Sequence, residues 1–456
     1  MTEAAGPSRP HLRAALTHRH VLAIAIPIIL SNTTTPLIGF VDTVVIGRLG
    51  NAALMGGVAI GAVIFNIVYW GFGFLRMGTT GLTAQAVGRG DASETAAMLF
   101  RGLAIAATAG LLLVVLQTPI AAVTFAVLDG SAAVESTARH YYDIRIWSSP
   151  AGIANYALLG WFIGLGRAGR AFLIQLFLNG LNILLAIVFV IGLGWGVTGV
   201  AVAVLIAELS ALALGLVLAI AELRRRGARW SLPAIFEPNE LKRVLSVNSD
   251  IFVRSLAVQF VLIFFTAQGA RSGDLTLAAN AVLHNLLMLS VYLLDGFAFA
   301  AEALVGQSIG ARDYDRFRRA AIVSTLWAAG ISVLLGLVLI AAGPAIIDFM
   351  TTSPEVREAA RRYLPWAALG PVLGVWCFQL DGIFIGATRT RDMRNMMLLS
   401  VAIYVVIVLM LMPIIGNHGL WLALMLFYLV RTVTLWRRLP GLIKAAFGDA
   451  APMHRK

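Results

Sequence analysis

The sequence predicts an all-α polytopic membrane protein, with twelve transmembrane helices in two pseudo-symmetric six-helix bundles. Three observations carry this reading. Apolar runs of about 20 residues, enough to cross a bilayer, recur from one end of the chain to the other. Of the 456 residues, 59% are hydrophobic and 13% charged, with mean hydropathy +0.85; a soluble domain is nearer half apolar and a quarter charged. The two halves also match each other at an offset of roughly 222 positions. Lipid offers the backbone no hydrogen bonds, so the spans must be helices or a closed barrel. The runs are unbroken rather than alternating, which selects helices.

Taken in order, residues 1–20 read as a polar, basic cytoplasmic tail without the apolar core of a cleaved signal. An N-terminal bundle is expected over 21–223, with helices at 21–46, 53–84, 93–127, 136–165, 168–192 and 196–223. A charged cytoplasmic connector, 224–243, follows. The C-terminal bundle over 244–440 has helices at 244–271, 275–309, 317–350, 356–388, 394–415 and 418–440, and 441–456 forms a second cytoplasmic tail. Several segments exceed the bilayer and are expected to tilt or project beyond it.

The net charge is +12. In a helical membrane protein this points to basic cytoplasmic loops, not to nucleic acid. Alternate loops do hold the arginines: Arg89, Arg167, Arg170, Arg224, Arg225, Arg226, Arg312, Arg316, Arg389 and Arg391 fall on one side. Both termini are therefore expected in the cytoplasm and the protein in the cell (inner) membrane. The single Cys377 excludes an intrachain disulfide. No Walker-type loop, HExxH or histidine cluster is present, so neither ATP-driven nor enzymatic chemistry is expected.

The repeat is legible in polar residues. Gly160-Trp161-Phe162-Ile163-Gly164 matches Gly382-Ile383-Phe384-Ile385-Gly386, and Gln85, Gly88 and Asp91 match Gln307, Gly310 and Asp313. Each half has six spans, so both enter from the same side, the parallel-repeat arrangement of some transporters. Two such bundles enclose a cavity that rocking exposes to either side.

Ionisable residues inside spans are expensive and by default functional. Asp42 lies about 20 residues into the first helix, beyond Asn32-Thr33-Thr34-Thr35-Pro36, and reads as a titratable cation site. Thr35 shares its face, and Pro36 frees a carbonyl nearby. Asn179 and Asn182 lie three apart on the fifth helix, with Ala186 continuing the face; their amides suit a coupling cation or helix–helix contacts. Asp250 and Arg254, four apart on the seventh helix, read as a self-neutralising pair. Asp295 and Asp381 are the C-terminal acids with the stronger functional reading, the alternative being pairing with Arg254 or Arg145; Glu302 lies near the cytoplasmic end of the same helix as Asp295. Arg76 and Glu208 read as structural, without assignable partners. Met288, Phe297, Phe299, Phe378, Met396 and Met397 offer an adaptable apolar wall, of which Met288 and Phe299 are the candidates for a substrate cavity.

Phe40-Val41-Asp42-Thr43 with Gly47-Arg48-Leu49-Gly50, Gly71-Phe72-Gly73-Phe74-Leu75-Arg76-Met77-Gly78, Leu294-Asp295-Gly296-Phe297-Ala298 and Gln379-Leu380-Asp381-Gly382 resemble the multidrug and toxic compound extrusion (MATE) transporters, in the DinF-like branch. The resemblance covers nearly the whole chain after residue 15. It implies a pair of six-helix bundles exporting organic, often cationic compounds in exchange for protons or sodium, with Asp42 as coupling carboxylate. It also implies small-molecule substrates, membrane lipid as surroundings, a monomer, and no cofactor beyond the coupling ion. Many relatives carry Asn-x-x-Asn-x-x-x-Asp on the fifth helix and a threonine on the sixth; here the last acid is Ala186 and the threonine aligns with Val204. Losing two oxygen ligands favours H⁺ over Na⁺. The rival readings are sodium coupling and a flippase for a lipid or lipid-linked precursor, which calls for a strongly cationic cavity with several Arg or Lys inside the spans; internal bases read as few and outnumbered by acids.

Overall fold

The structure, a computed structural model, describes residues 16–48, 50–127 and 131–448; within its helices, the side chains of 35–40, 42, 43 and 127 lie outside the described part. Among the described residues the chain is helical, without strands. The helices are α1 (His18–Gly47), α2 (Ala52–Gly71), α3 (Gly73–Arg89), α4 (Ala92–Val115), α5 (Gln117–Val127), α6 (Ala132–Arg145), α7 (Ser149–Gly164), α8 (Ala168–Ala186), α9 (Gly196–Arg225), α10 (Leu232–Ile235), α11 (Pro238–Arg271), α12 (Asp274–Gly310), α13 (Tyr314–Met350), α14 (Pro354–Gly386), α15 (Thr390–Ile415) and α16 (Asn417–Phe447).

Among the described residues, ten helical segments are long and apolar enough to cross a membrane. The other two expected spans correspond to α1 and to α6–α7, which the 3-10 turn Ile146–Ser148 divides just before Pro150. The second span likewise bends at Phe72, between Gly71 and Gly73, so α2 and α3 together fill the range expected for one helix. The twelve-helix count is consistent with these elements.

The chain forms two compact units. One comprises Leu30–Thr83 with Ala92–Asn248, the other Met1–Ile29, Ala84–Asp91 and Ser249–Lys456. Helices α1, α3 and α11 each contribute residues to both. The first unit packs around Phe65, Tyr141, Tyr142, Ile146 and Val200. The second packs around Leu283, Leu287, Tyr404, Trp421 and Phe427, and buries Cys377 in the same cluster. The charged connector is ordered: Ser231 caps α10, and the buried Arg101 on α4 donates to the carbonyls of Ala234 and Ile235 at 2.5 and 2.8 Å while pairing with Glu94 at 2.8 Å.

The repeat extends to backbone geometry. A Cβ on Gly160 would lie 2.3 Å from the Arg76 carbonyl oxygen, and one on Gly382 would lie 2.4 Å from that of Ala298. Both members of the second pair stand 222 positions after those of the first. Only glycine lets these helices touch backbone to backbone. Gly88 and Gly310, which match each other in the repeat, do the same reciprocally: a Cβ on Gly88 would lie 2.1 Å from the Gln307 carbonyl oxygen, and one on Gly310 would lie 2.1 Å from that of Gln85.

Candidate functional site

In the first unit, α8 presents Asn179, Asn182 and Ala186 on one buried face, as their three- and four-residue spacing requires. Asn179 is fixed at both ends: its Nδ2 donates to Thr34 Oγ1 of α1 at 2.7 Å, and its Oδ1 accepts from Gln175 Nε2 at 2.9 Å. Thr34 in turn donates to the Ser31 carbonyl at 2.8 Å. Asn182 is 2% exposed, yet its Oδ1 has no hydrogen-bond partner. A buried carbonyl oxygen without a donor is an open acceptor for a proton-bearing group or a cation. Asp42 lies eight residues beyond Thr34 on α1; its side chain, with those of Thr35 and Pro36, lies outside the described residues. Ala186 and Val204, which replace oxygen-bearing residues of many relatives, are both buried.

The same unit holds a polar cluster around Glu208, which sequence reading left without partners. Tyr69 donates to Glu208 Oε2 at 3.3 Å and shares a 3.1 Å hydrogen bond with Ser148, while Asn155 Nδ2 donates to the Glu208 carbonyl at 3.1 Å. Arg145 stays in this unit, donating to Tyr141 Oη at 2.7 Å and lying 4.7 Å above the Phe65 ring. It is therefore no partner for Asp381. Arg76 is half-buried on α3.

In the second unit the expected pairing of Asp250 with Arg254 does not form. Asp250 accepts from Arg394 of α15 at 2.5 Å and from Thr390 at 3.1 Å. Arg254 pairs instead with Asp381 of α14. Asp381 is 4% exposed and also takes Arg431 of α16, at 2.6 Å. The helix spacing allows an intrahelical pair, but both side chains turn inward, where a partner on another helix removes a buried charge from isolation. Arg431, whose guanidinium also stacks over Phe427 and Phe378, is the residue the sequence reading missed. Its signal was present: an arginine midway through the apolar run from Trp421 to Trp436. Internal arginines in this unit are thus more numerous than expected. Near the starts of α12 and α16, Asn280, Asn417 and Trp421 form a closed amide–indole network at 2.8–2.9 Å. Asp295 and Phe299 are half-buried and Glu302 is buried on α12; Met288 packs against the unit's core cluster.

Comparison with known proteins places this architecture. The MatE family model matches residues 27–188 and again 251–411, one match per half. DNA damage-inducible protein F of Escherichia coli (strain K12) is 41% identical over 91% of each chain. A probable multidrug resistance protein NorM of Agrobacterium fabrum is 27% identical over 79% of this chain and 78% of its own. A crystal structure of MATE in complex with MaL6 shares the fold, with TM-score 0.85 over 95% of this chain and 98% of that one, at 18% identity. With both halves matched and this identity along nearly its whole length, the chain belongs to the MatE family of multidrug and toxic compound extrusion transporters.

Proposed function

We propose that this protein is a secondary active exporter of organic, often cationic or amphipathic compounds, exchanging them for protons by alternating access across the cell inner membrane, with both termini cytoplasmic. The observation that carries the reading is the buried amide face of α8: Asn179 held against α1 through Thr34, and Asn182 with a buried, unpaired Oδ1. By alternation of the spans α8 runs parallel to α1. Advancing seven residues from Asn179 reaches Ala186, and advancing eight from Thr34 reaches Asp42, so along their helices the two positions lie a similar rise beyond the Asn179–Thr34 contact.

Deprotonated, Asp42 holds the negative charge that a cationic substrate matches. Protonation from outside removes that charge and gives the carboxyl a donor for an amide acceptor such as Asn182 Oδ1; the changed contacts around Pro36 release substrate. Loss of the proton inward resets the site. One carboxylate suffices for this switch. Sodium coupling requires several oxygens, and the buried Ala186 and Val204 supply none. The test is dye export in everted vesicles with imposed gradients. An inside-acid pH gradient is expected to drive uptake into the vesicle lumen, a sodium gradient not, and Asp42→Asn to abolish it. Full pH-driven transport by Asp42→Asn would overturn the assignment.

A flippase for a lipid or lipid-linked precursor is the second reading, because the second unit does carry arginines within its spans. Arg254 and Arg431 are both held by Asp381 and Arg394 by Asp250, whereas a pyrophosphate site needs such groups free.

A further inference from the structure

A cluster of arginines that the exchange cycle does not use gathers around one acid in the first unit, where the start of α8 meets the end of α9. Glu222 of α9 is buried and takes three guanidiniums: Arg170 Nη1 at 2.8 Å, Arg225 Nη2 at 2.7 Å and Arg226 Nε at 2.7 Å. Arg167, in the turn before α8, completes the cluster. Its exposed side chain has no hydrogen bond or ion pair among the described residues. Partial burial and the like charges of Arg225, Arg170 and Arg226 hold its guanidinium below the ordinary arginine value, against the pull of Glu222.

Four guanidiniums against one carboxylate leave three positive charges uncompensated in the cluster. Hydrogen bonds also remain to be made, since a guanidinium carries five donors. The other nitrogens of Arg170 and Arg226 have no partner among the described residues, yet none of them is sealed from solvent, and Arg225 is exposed. Arg170 is steadied from behind by the Phe162 ring, 5.9 Å from its guanidinium carbon. Planar forks held in this way suit the oxygens of a phosphate.

The neighbouring surface says which phosphate. Leu173 and Phe177 stand three and seven residues after Arg170, on its face of α8, and both are exposed. Val217 and Ile220 stand seven and four residues before Arg224 on α9, and both are exposed. In a chain that spans the bilayer, such apolar faces meet acyl chains, and the arginines stand where those faces end, as headgroups do. A soluble anion has no use for these faces. The cluster lies at the ends of the spans and not within them, so it concerns the lipid around the protein and not a cargo.

We propose that Arg167, Arg170, Arg225 and Arg226 form a binding site for the phosphate of an anionic phospholipid, whose acyl chains run along the exposed faces of α8 and α9. The site does not depend on which compound or ion is exchanged.

The test is native mass spectrometry of the purified full-length protein in detergent, with dioleoyl phosphatidylglycerol and dioleoyl phosphatidylcholine as matched probes. The parent is expected to retain phosphatidylglycerol about tenfold more tightly, the effect of roughly one charge-assisted hydrogen bond. Arg167→Gln combined with Arg226→Gln should remove that preference. Arg167→Gln alone breaks no bond within the protein, so it should lose part of the preference while its thermal unfolding is no lower than the parent's. Arg389→Gln with Arg391→Gln, at exposed positions of the matching turn in the second half, removes the same charge and should leave retention as in the parent. Equal retention of the two lipids by the parent, a preference indifferent to the Arg167 and Arg226 changes, or an equal loss in the Arg389 and Arg391 variant would each overturn the proposal. So would displacement of phosphatidylglycerol by inorganic phosphate, which would make the cluster a site for a soluble anion.

Discussion

Asp381 sits between two guanidiniums with almost no access to solvent. Removing one member of a buried ion cluster leaves charge without compensation, which typically costs about 3–5 kcal/mol. Asp381→Asn is therefore expected to lower the midpoint of thermal unfolding in detergent clearly, and adding Arg431→Met to recover part of the loss. An unchanged midpoint would mean that water, not the carboxylate, solvates these arginines. The other residue-scale prediction concerns the coupling ion. Ala186→Asp with Val204→Thr puts two oxygens back on buried positions of α8 and α9. Sodium is expected to stimulate export by the double variant and not by the parent, measured in the same vesicles. The sequence showed which oxygens were missing. It did not show that Asn182 carries an unpaired acceptor, because that depends on which helices surround it.

At the scale of elements, the repeat governs how helices end. The turns after α3, α7, α12 and α14 share one geometry. Asp91 and Asp313 donate to carbonyls five residues back at 3.1 and 3.0 Å, and Arg167 and Arg389 do so at 2.8 and 2.9 Å. Each turn needs a residue in the left-handed region. The first half uses Gly90 and Gly166, at φ 72° and 70°; the second half has Arg312 and Thr388 at the equivalent positions, both at φ 54°. A side chain there is strained, most of all a β-branched one. Arg312→Gly and Thr388→Gly are expected to raise stability by about 0.5–1 kcal/mol each, and Gly166→Ala to lower it by about 1 kcal/mol. Equilibrium unfolding in denaturant reads all three, and no gain at Thr388→Gly would show that its hydroxyl contacts offset the strain. The matching glycines of the two halves were visible as a pattern. That they seat one helix directly on another's carbonyls, as Gly88 and Gly310 do, required the coordinates.

At the scale of the molecule, basic loops alternate with sparsely charged ones, which sets the expected sidedness. Cys377 is wholly buried, so the native chain should resist a membrane-impermeant maleimide and give a low background. Cysteine introduced at the exposed Arg391 should then label only from the cytoplasmic side, and at the exposed Thr352 only from outside. The reverse pattern would invert the topology and the direction of transport with it. The two compact units show why the halves of the sequence are not simply the halves of the fold. Helices α1, α3 and α11 divide their residues between units, and the connector is tied to α4 through Arg101, a long-range contact that no local pattern announces.

By itself the sequence determined the membrane class, the spans, the repeat and the acids worth weighing. Each follows from hydropathy and from the cost of charge in lipid, which are properties of single residues and their spacing. Only the tertiary structure decided the partners: Arg254 and Arg431 on Asp381, Arg394 on Asp250, Thr34 on Asn179, and none on Gln379. A buried polar group is satisfied by whatever another helix brings within 3 Å or so, and spacing along one helix cannot report that.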